Sequence, residues 1–119
     1  MDKFRFRNFR VYRDSREFSK KLKIFIKKKL PREEQLCLTP QLWRALDSMV
    51  LNFAEGADRE TNKDFAHFLN NSHTSLNEVV ACLDLSYDNN YIDEKERNYY
   101  LKKAESLANQ LSAFGEMLI

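Results

Sequence analysis

Residues 52–65, NFAEGADRETNKDF, are crowded with polar side chains that could do chemistry. Asn52, Glu55 and Arg59 follow one another at spacings of three and four residues, which would bring an amide, a carboxylate and a guanidinium together at a helix corner. Catalysis would also need a second acid, a base or a metal, and spacing places none of these nearby. A carboxylate beside an arginine at such a corner is more often a structural ion pair. We therefore expect Glu55 and Arg59 to tie the corner together.

Other catalytic patterns are weak. His67 and His73 are six residues apart, which turns them about 120° from one another around a helix, so they cannot share a metal site within one chain. Cys82 has no orienting base at helical spacing, and Cys37 is a single cysteine near a loop. The two glycines of the chain cannot build a phosphate-binding loop. We predict no catalytic residue, no metal and no cofactor, with an enzyme as a remote third option.

The strongest functional signal lies in the first 30 residues. They contain twelve Lys and Arg against three acids, a net charge of +9, whereas the remaining 89 residues contain eight against fifteen, a net of −7. A basic segment of this kind binds a polyanion, docks on an acidic neighbour or stays solvated. The candidate nucleic-acid-binding residues are Arg5, Arg7, Arg10, Arg13, Arg16, Lys20, Lys23 and Lys27.

Aromatic residues alternate with the first of these cations. Phe4, Phe6, Phe9 and Tyr12 could supply ring faces on which bases stack while the arginines contact phosphates. The alternative is that the rings pack along a helical bundle and the cations form its solvated edge.

The periodicity of apolar residues supplies the elements that position these groups. Apolar side chains recur at spacings of three and four over about 8–29, 40–55, 62–87 and 93–117, which predicts one amphipathic helix in each range. With 119 residues, two glycines and two prolines, the chain is expected to form a single domain (1–119) with few loops. The predicted fold is an all-α, antiparallel, up-down-up-down four-helix bundle.

Local signals predict where the helices begin and end. Pro31 follows the first helix, Thr39 and Pro40 form an N-cap and first position for the second, and Gly56 occupies the left-handed position that would end it. Thr61 and Asp64 resemble a capping box for the third helix. The turn-forming residues 88–90 would end that helix, and Asp93 is a predicted N-cap for the fourth.

Composition also suggests a compartment and an interface. No run approaches the roughly 20 apolar residues of a membrane span, and the N-terminus lacks a signal peptide, so we expect a cytoplasmic protein with Cys37 and Cys82 as reduced, packed thiols. The second helix is apolar on more than one side, because Trp43, Val50 and Leu51 widen its stripe. We predict a subunit interface on the second and third helices.

The corner residues belong to a longer pattern, N-F-A-E-G at 52–56, Arg59, T-x-x-D-F at 61–65, F-L at 68–69 and S-L-x-E at 75–78. This pattern resembles the four-helix-bundle proteins encoded in 23S ribosomal RNA intervening sequences, whose usual motif reads N-I-A-E-G-x-x-R-x-S-x-x-E-F-x-x-F-L with a later S-L-x-E-L. F-R-V-Y at 9–12 is similar to the family's entry into its first helix, and the resemblance covers about residues 4–118. The residues of the structural motif are Asn52, Glu55, Gly56, Arg59, Thr61, Asp64 and Glu78.

Departures from the pattern are mild and leave its charges in place. The substituted positions are Phe53 for isoleucine, Thr61 for serine, Asp64 for glutamate and Val79 for leucine. Before the motif, L-T-P-Q-L at 38–42 looks like the family's L-T-x-Q-I, but Trp43 stands at an arginine-type position and only Arg44 keeps a cation there.

The resemblance implies an antiparallel four-helix bundle that assembles into a ring-like homopentamer. Similar bundles include the accessory variability protein of diversity-generating retroelements, a basic pentamer that associates with nucleic acid and a reverse transcriptase. The resemblance implies no enzymatic activity, and we expect no membrane partner and no small-molecule substrate.

Two functions of different classes remain open from the sequence. The first is a non-catalytic oligomeric bundle that binds RNA or another nucleic acid through the basic first helix. The second is a protein-interaction scaffold without a nucleic-acid ligand, in which the basic segment of one subunit docks on the acidic body of the next.

Overall fold

The computed structural model of the protein describes residues 3–118, so residues 1, 2 and 119 of the predicted domain lie outside the described part. The fold is all-α, with four long helices and no strand among the described residues. We number the helices α1 (Arg10–Lys29), α2 (Leu38–Ala57), α3 (Asn62–Asp88) and α4 (Glu94–Met117). Short 3-10 helices at Arg5–Asn8 and Arg32–Leu36 precede α1 and α2.

Consecutive helices alternate in direction. At one end of the molecule, Phe9 before α1 packs on Phe53 near the end of α2 and on Phe114 near the end of α4, with ring centroids 5.9 and 5.0 Å apart. At the other end, Lys29 closes α1 and pairs with Glu96 in the first turn of α4 at 2.8 Å. Among residues 3–118, each helix packs along the next and α1 packs along α4, whereas no Cα atoms of the diagonal pairs α1–α3 and α2–α4 come within 8 Å of each other. This neighbour order favours an up-down-up-down bundle, with extents of 46 × 22 × 20 Å.

The four apolar stripes meet in one core. Its largest contributors are Phe18, Leu22 and Ile26 of α1, Leu42, Leu46, Met49 and Phe53 of α2, Phe65, Leu69, Leu76, Val79 and Leu83 of α3, and Leu107 and Leu111 of α4. Each such side chain stabilises the fold by roughly 1.5–3 kcal/mol when fully buried. Because this burial requires one apolar face on each helix, the spacing of apolar residues in the sequence is enough to locate the helices. The α2–α3 contact is the most extensive between any two helices of the described chain.

The start of α2 differs from its prediction. The helix begins at Leu38 with Cys37 as N-cap, and neither Thr39 nor Pro40 is the boundary. The preceding 3-10 helix brings Glu34 within reach, and its Oε1 accepts a hydrogen bond from the Leu38 N–H at 3.3 Å. Pro40 lies within the first turn, where a missing N–H leaves no intrahelical bond broken.

The end of α2 also differs. Gly56 is buried inside the helix, which continues to Ala57, and neither glycine has a positive φ. The prediction of a left-handed terminating residue at Gly56 is therefore wrong. A Cβ added at Gly56 would lie 2.5 Å from Phe68 Cβ of α3, so the glycine serves close approach between α2 and α3.

The predicted N-caps of α3 and α4 are confirmed. Thr61 Oγ1 accepts the Asp64 N–H at 3.1 Å, although no reciprocal bond from the Asp64 side chain is formed. Asp93 and Glu96 make a complete capping box, in which each side chain accepts the other residue's backbone N–H. The turn between these helices places Asn90 at φ 63°, a conformation that asparagine tolerates.

Candidate nucleic-acid interface

The predicted cations of α1 lie on one face of that helix. Arg13, Arg16, Lys20, Lys23 and Lys27 follow at spacings of three, four, three and four residues, and we call these five residues the basic stripe. At 1.5 Å per residue the basic stripe extends about 21 Å along the bundle. All five are exposed except Lys23, which is half-buried, while the opposite face of α1 holds Leu22 and Ile26 in the core.

Some of the predicted cations are engaged by the protein itself. Arg5 Nη2 donates to the Ala57 carbonyl at 2.6 Å, and Arg10 Nε pairs with Asp14 at 3.2 Å. Lys23 pairs with Asp47 of α2, and its Nζ lies 5.2 Å from the centroid of the Trp43 ring. These contacts hold the three cations on the protein, and the carboxylates of Asp14 and Asp47 partly balance the charges of Arg10 and Lys23.

The remaining predicted cations have no carboxylate within ion-pair distance in the described chain, and they are Arg7, Arg13, Arg16, Lys20 and Lys27. Arg16 lies 5.5 Å from the Tyr12 ring centroid, a cation–π contact that leaves its charge unneutralised. Four unbalanced cations of the basic stripe therefore face solvent from one side of α1. Their role in nucleic-acid binding stays a prediction.

The aromatic residues near the N-terminus face the protein rather than solvent. Phe9 packs edge-on against Phe53 and Phe114, and Tyr12 stacks on Phe53 with centroids 6.4 Å apart. Phe6 meets Tyr12 edge-on at 5.0 Å. These half-buried rings form an aromatic cluster that closes one end of the bundle, which is the alternative that the sequence left open. Phe4 meets Phe6 edge-on at 6.4 Å at the rim of the cluster and keeps 59% of its surface exposed.

A groove between α1 and α2 runs beside the basic stripe. Its volume is about 590 Å³, and its walls carry Arg13, Arg16 and Lys20 on one side and Val50 and Leu51 on the other. Its two carboxylates are already paired, Asp47 with Lys23 and Glu17 with Lys21. The groove is therefore cationic with an apolar wall.

The corner residues do not assemble into a catalytic site or into the expected ion pair. Within residues 3–118, Glu55 and Arg59 form no ion pair, and Glu55 is exposed. Arg59 instead lies 4.4 Å above the centroid of the Phe68 ring. Because Gly56 contacts the same phenylalanine, Phe68 joins the end of α2 to the start of α3. The spacing placed Arg59 at the corner but gave the wrong partner.

Asn52 belongs to a polar contact that sequence reasoning missed. Its Nδ2 donates to the Ser48 carbonyl at 2.8 Å and to Ser48 Oγ at 3.0 Å, and Ser48 Oγ lies 2.9 Å from Ser75 Oγ of α3. Buried Ser72 donates to the Met49 carbonyl at 2.8 Å. We call this contact between α2 and α3 the α2–α3 seam. The serines that recur at helical spacing in both segments were the sequence signal for it. Their small side chains let the two helices approach, while each of these hydroxyls keeps a hydrogen-bond partner.

The two cysteines occupy different environments. Burial, followed by the Glu78 carboxylate, raises the pKa of Cys82 to about 11, so this thiol stays protonated and inert. Cys37 is exposed at the N-cap of α2, which corrects the expectation that both thiols are packed. The described residues contain no group of three potential metal ligands, and none of their helices is long and apolar enough to cross a membrane.

Comparison with known proteins identifies the family of this chain. The profile of a family described as 23S rRNA-intervening sequence protein matches residues 7–113. The chain belongs to this family. The match includes α1, the corner motif and most of α4, so it covers both the basic stripe and the α2–α3 seam.

A solved structure shares the fold of this family member. It is a protein of unknown function from the S23 ribosomal protein family of Bacteroides thetaiotaomicron, 20% identical, with a TM-score of 0.77 over 88% of this chain and 97% of that one. No curated protein matches significantly. Neither the family description nor the neighbour's name indicates a catalytic activity.

Proposed function

We propose that the protein is a non-catalytic, oligomeric four-helix bundle that binds RNA through the basic stripe. The observation that carries the proposal is the set of four exposed cations, Arg13, Arg16, Lys20 and Lys27, that no described carboxylate neutralises. Such a row of fixed cations attracts a polyanion by releasing its condensed counterions. The overall net charge of only +2 does not create this attraction, so the distribution of charge does.

Binding is tested with a pair of variants that remove equal charge from different faces. One replaces Arg13, Lys20 and Lys27 by Ala, and the control replaces the exposed Lys63, Lys95 and Lys102. Both variants have a formal net charge of 2 − 3 = −1. The first should lower RNA affinity and reduce the slope of log affinity against log salt by about 2, since each lost phosphate contact is worth about 0.7 for single strands. The control should keep most of the wild-type slope.

Two results would refute this proposal. The first is that the wild-type protein binds neither structured nor single-stranded RNA at about 50 mM salt, where phosphate contacts are strongest. The second is equal loss of affinity in the two variants, because binding would then depend on net charge and not on the basic stripe. Circular dichroism of both variants establishes that they retain the bundle.

A second candidate function is a scaffold in which α1 of one subunit docks on α3 of the next. Residues 64–94 contain no Lys or Arg and six acids, so the surface of α3 complements the basic stripe. A head-to-tail contact of this kind closes into a ring, consistent with the homopentamer that the family resemblance implies. The exposed Leu51 and Leu85 of α2 and α3 would be covered in such an assembly.

The two candidates differ in their response to salt without RNA. Light scattering of the purified protein should show an assembly that loosens as salt rises if the basic stripe is an intersubunit contact. An assembly of constant size whose RNA affinity alone falls with salt assigns the basic stripe to nucleic acid. A monomer at every concentration contradicts the oligomer in both candidates.

A further inference from the structure

The groove between α1 and α2 places cations beside an exposed apolar side chain. Leu51 keeps 58% of its surface accessible, although its neighbours Val50 and Phe53 are partly or fully buried. It faces the same groove as Arg13, Arg16 and Lys20. A ligand that is apolar on a flat face and anionic at its edge would cover the leucine and meet the cations together.

Charge selects the class of this ligand. Asp47 is paired with Lys23 of the groove and Glu17 with Lys21, so the other three cations of the groove, Arg13, Arg16 and Lys20, are not balanced by its carboxylates. The groove therefore favours an anionic ligand over an apolar peptide that carries no acidic residue. The volume of about 590 Å³ lies in the range of roughly 300–1,000 Å³ that small-ligand sites have, which is enough for one nucleotide unit.

The position of the aromatic rings makes this groove the better site for a base. Phe9 and Tyr12 lie against Phe53 in the aromatic cluster, so their faces are not available for stacking. Val50 and Leu51 are the apolar side chains that line the groove beside the basic stripe. A base that leaves the strand next to these cations would meet this wall.

We propose that the groove seats one unpaired base of a single-stranded RNA against Val50 and Leu51, while Arg13, Arg16 and Lys20 hold the adjoining phosphates. The inference rests on the proposed function and adds a preference for single strands. A base in a duplex is stacked and paired, and it reaches the groove only after unstacking, whereas a base in a single strand is already accessible.

The experiment compares three probes of equal length: a single-stranded oligoribonucleotide, the same strand with abasic sugars and its duplex. The wild-type protein should bind the single strand about tenfold more tightly than the abasic strand, because only the base covers the apolar wall of the groove. Leu51→Ser should weaken binding of the single strand about fivefold, because much of that apolar contact is lost, and leave the other two probes unchanged. The control is Leu85→Ser, an exposed leucine of α3 outside the groove, which should change none of the three affinities.

Each contrary outcome has a distinct meaning. Equal affinity for the single and abasic strands, or wild-type affinity in Leu51→Ser, overturns the base site and leaves phosphate binding intact. Absence of binding to every probe overturns the proposed function as well. If Leu51→Ser changes the oligomeric state measured by light scattering and not the affinity, the groove is a contact between copies of this chain and the base site is wrong.

Discussion

Replacing Gly56 by Ala tests the account of the α2–α3 seam. The added Cβ would lie 2.5 Å from Phe68 Cβ and 3.0 Å from Phe65 Cδ1. Phe68 Cβ is fixed to the backbone of α3, so the two helices must separate by about 1 Å or more to reach a normal carbon–carbon contact of roughly 3.5–4.0 Å. Overpacking of this kind costs up to about 3 kcal/mol. The higher helix propensity of alanine returns about 1 kcal/mol.

The expected net loss is therefore about 2 kcal/mol of unfolding free energy, the difference between these two estimates. For a domain of this size that lowers the melting temperature by about 8 °C. The matched control is Gly115→Ala in α4, where an added Cβ meets nothing within 4 Å. That variant should be unchanged or up to about 1 kcal/mol more stable, because only the propensity term applies.

Urea denaturation and thermal unfolding, both followed by circular dichroism, measure the two variants. The reasoning fails if Gly56→Ala is as stable as the wild-type protein, since the helices would then tolerate the extra methyl group. It also fails if both alanines destabilise equally, because the cost would not depend on the contact with Phe68.

Two further predictions concern titratable groups. At pH 8, the exposed Cys37 should react with a thiol reagent within the dead time of manual mixing. Cys82 is buried and has a pKa of about 11, so it should react only at the rate of unfolding. Mass spectrometry of the Cys37→Ser variant, which retains only Cys82, measures that rate over a urea series. The pKa of Glu96 is lowered by its hydrogen bonds to Lys29 and to the Asp93 N–H, so its contribution to stability is present above the unfolded pKa near 4.5 and is lost as pH falls through the folded pKa. Glu96→Gln should therefore be less stable than the wild-type protein at neutral pH and approach it in acid, and a stability difference independent of pH would contradict this assignment.

Much of the architecture follows from the periodicity of the sequence. The spacing of Leu22 and Ile26 or of Leu42, Leu46 and Met49 requires one buried face, and burial of that face is the main energy that a helix in a bundle gains. The N-caps of α3 and α4 could also be predicted from the sequence, because Thr61 and Asp93 accept hydrogen bonds from backbone N–H groups only three residues away. Such local interactions depend on chain spacing and not on the rest of the fold.

Interactions between helices could not be read from spacing. Arg59 was assigned to Glu55 because they are close in the chain, yet it covers Phe68 on another helix. A glycine at the end of an apolar stripe predicts a helix terminus, but Gly56 is required for the close contact between α2 and α3. The same holds for Phe9 and Tyr12, whose alternation with arginines suggested stacking surfaces but whose rings close the end of the bundle.

The sequence by itself determined the helices, their buried faces, the family motif and the excess of positive charge in the first 30 residues. Only the tertiary structure decided which cations remain unbalanced, because a neighbouring helix supplies Asp47 to Lys23 and none of the described carboxylates reaches Lys20 or Lys27. Only the tertiary structure placed Leu51 across a groove from Arg13 and Arg16. The physical reason is that helix formation depends on residues a turn apart, whereas charge balance and groove walls depend on residues that packing brings together from distant parts of the chain.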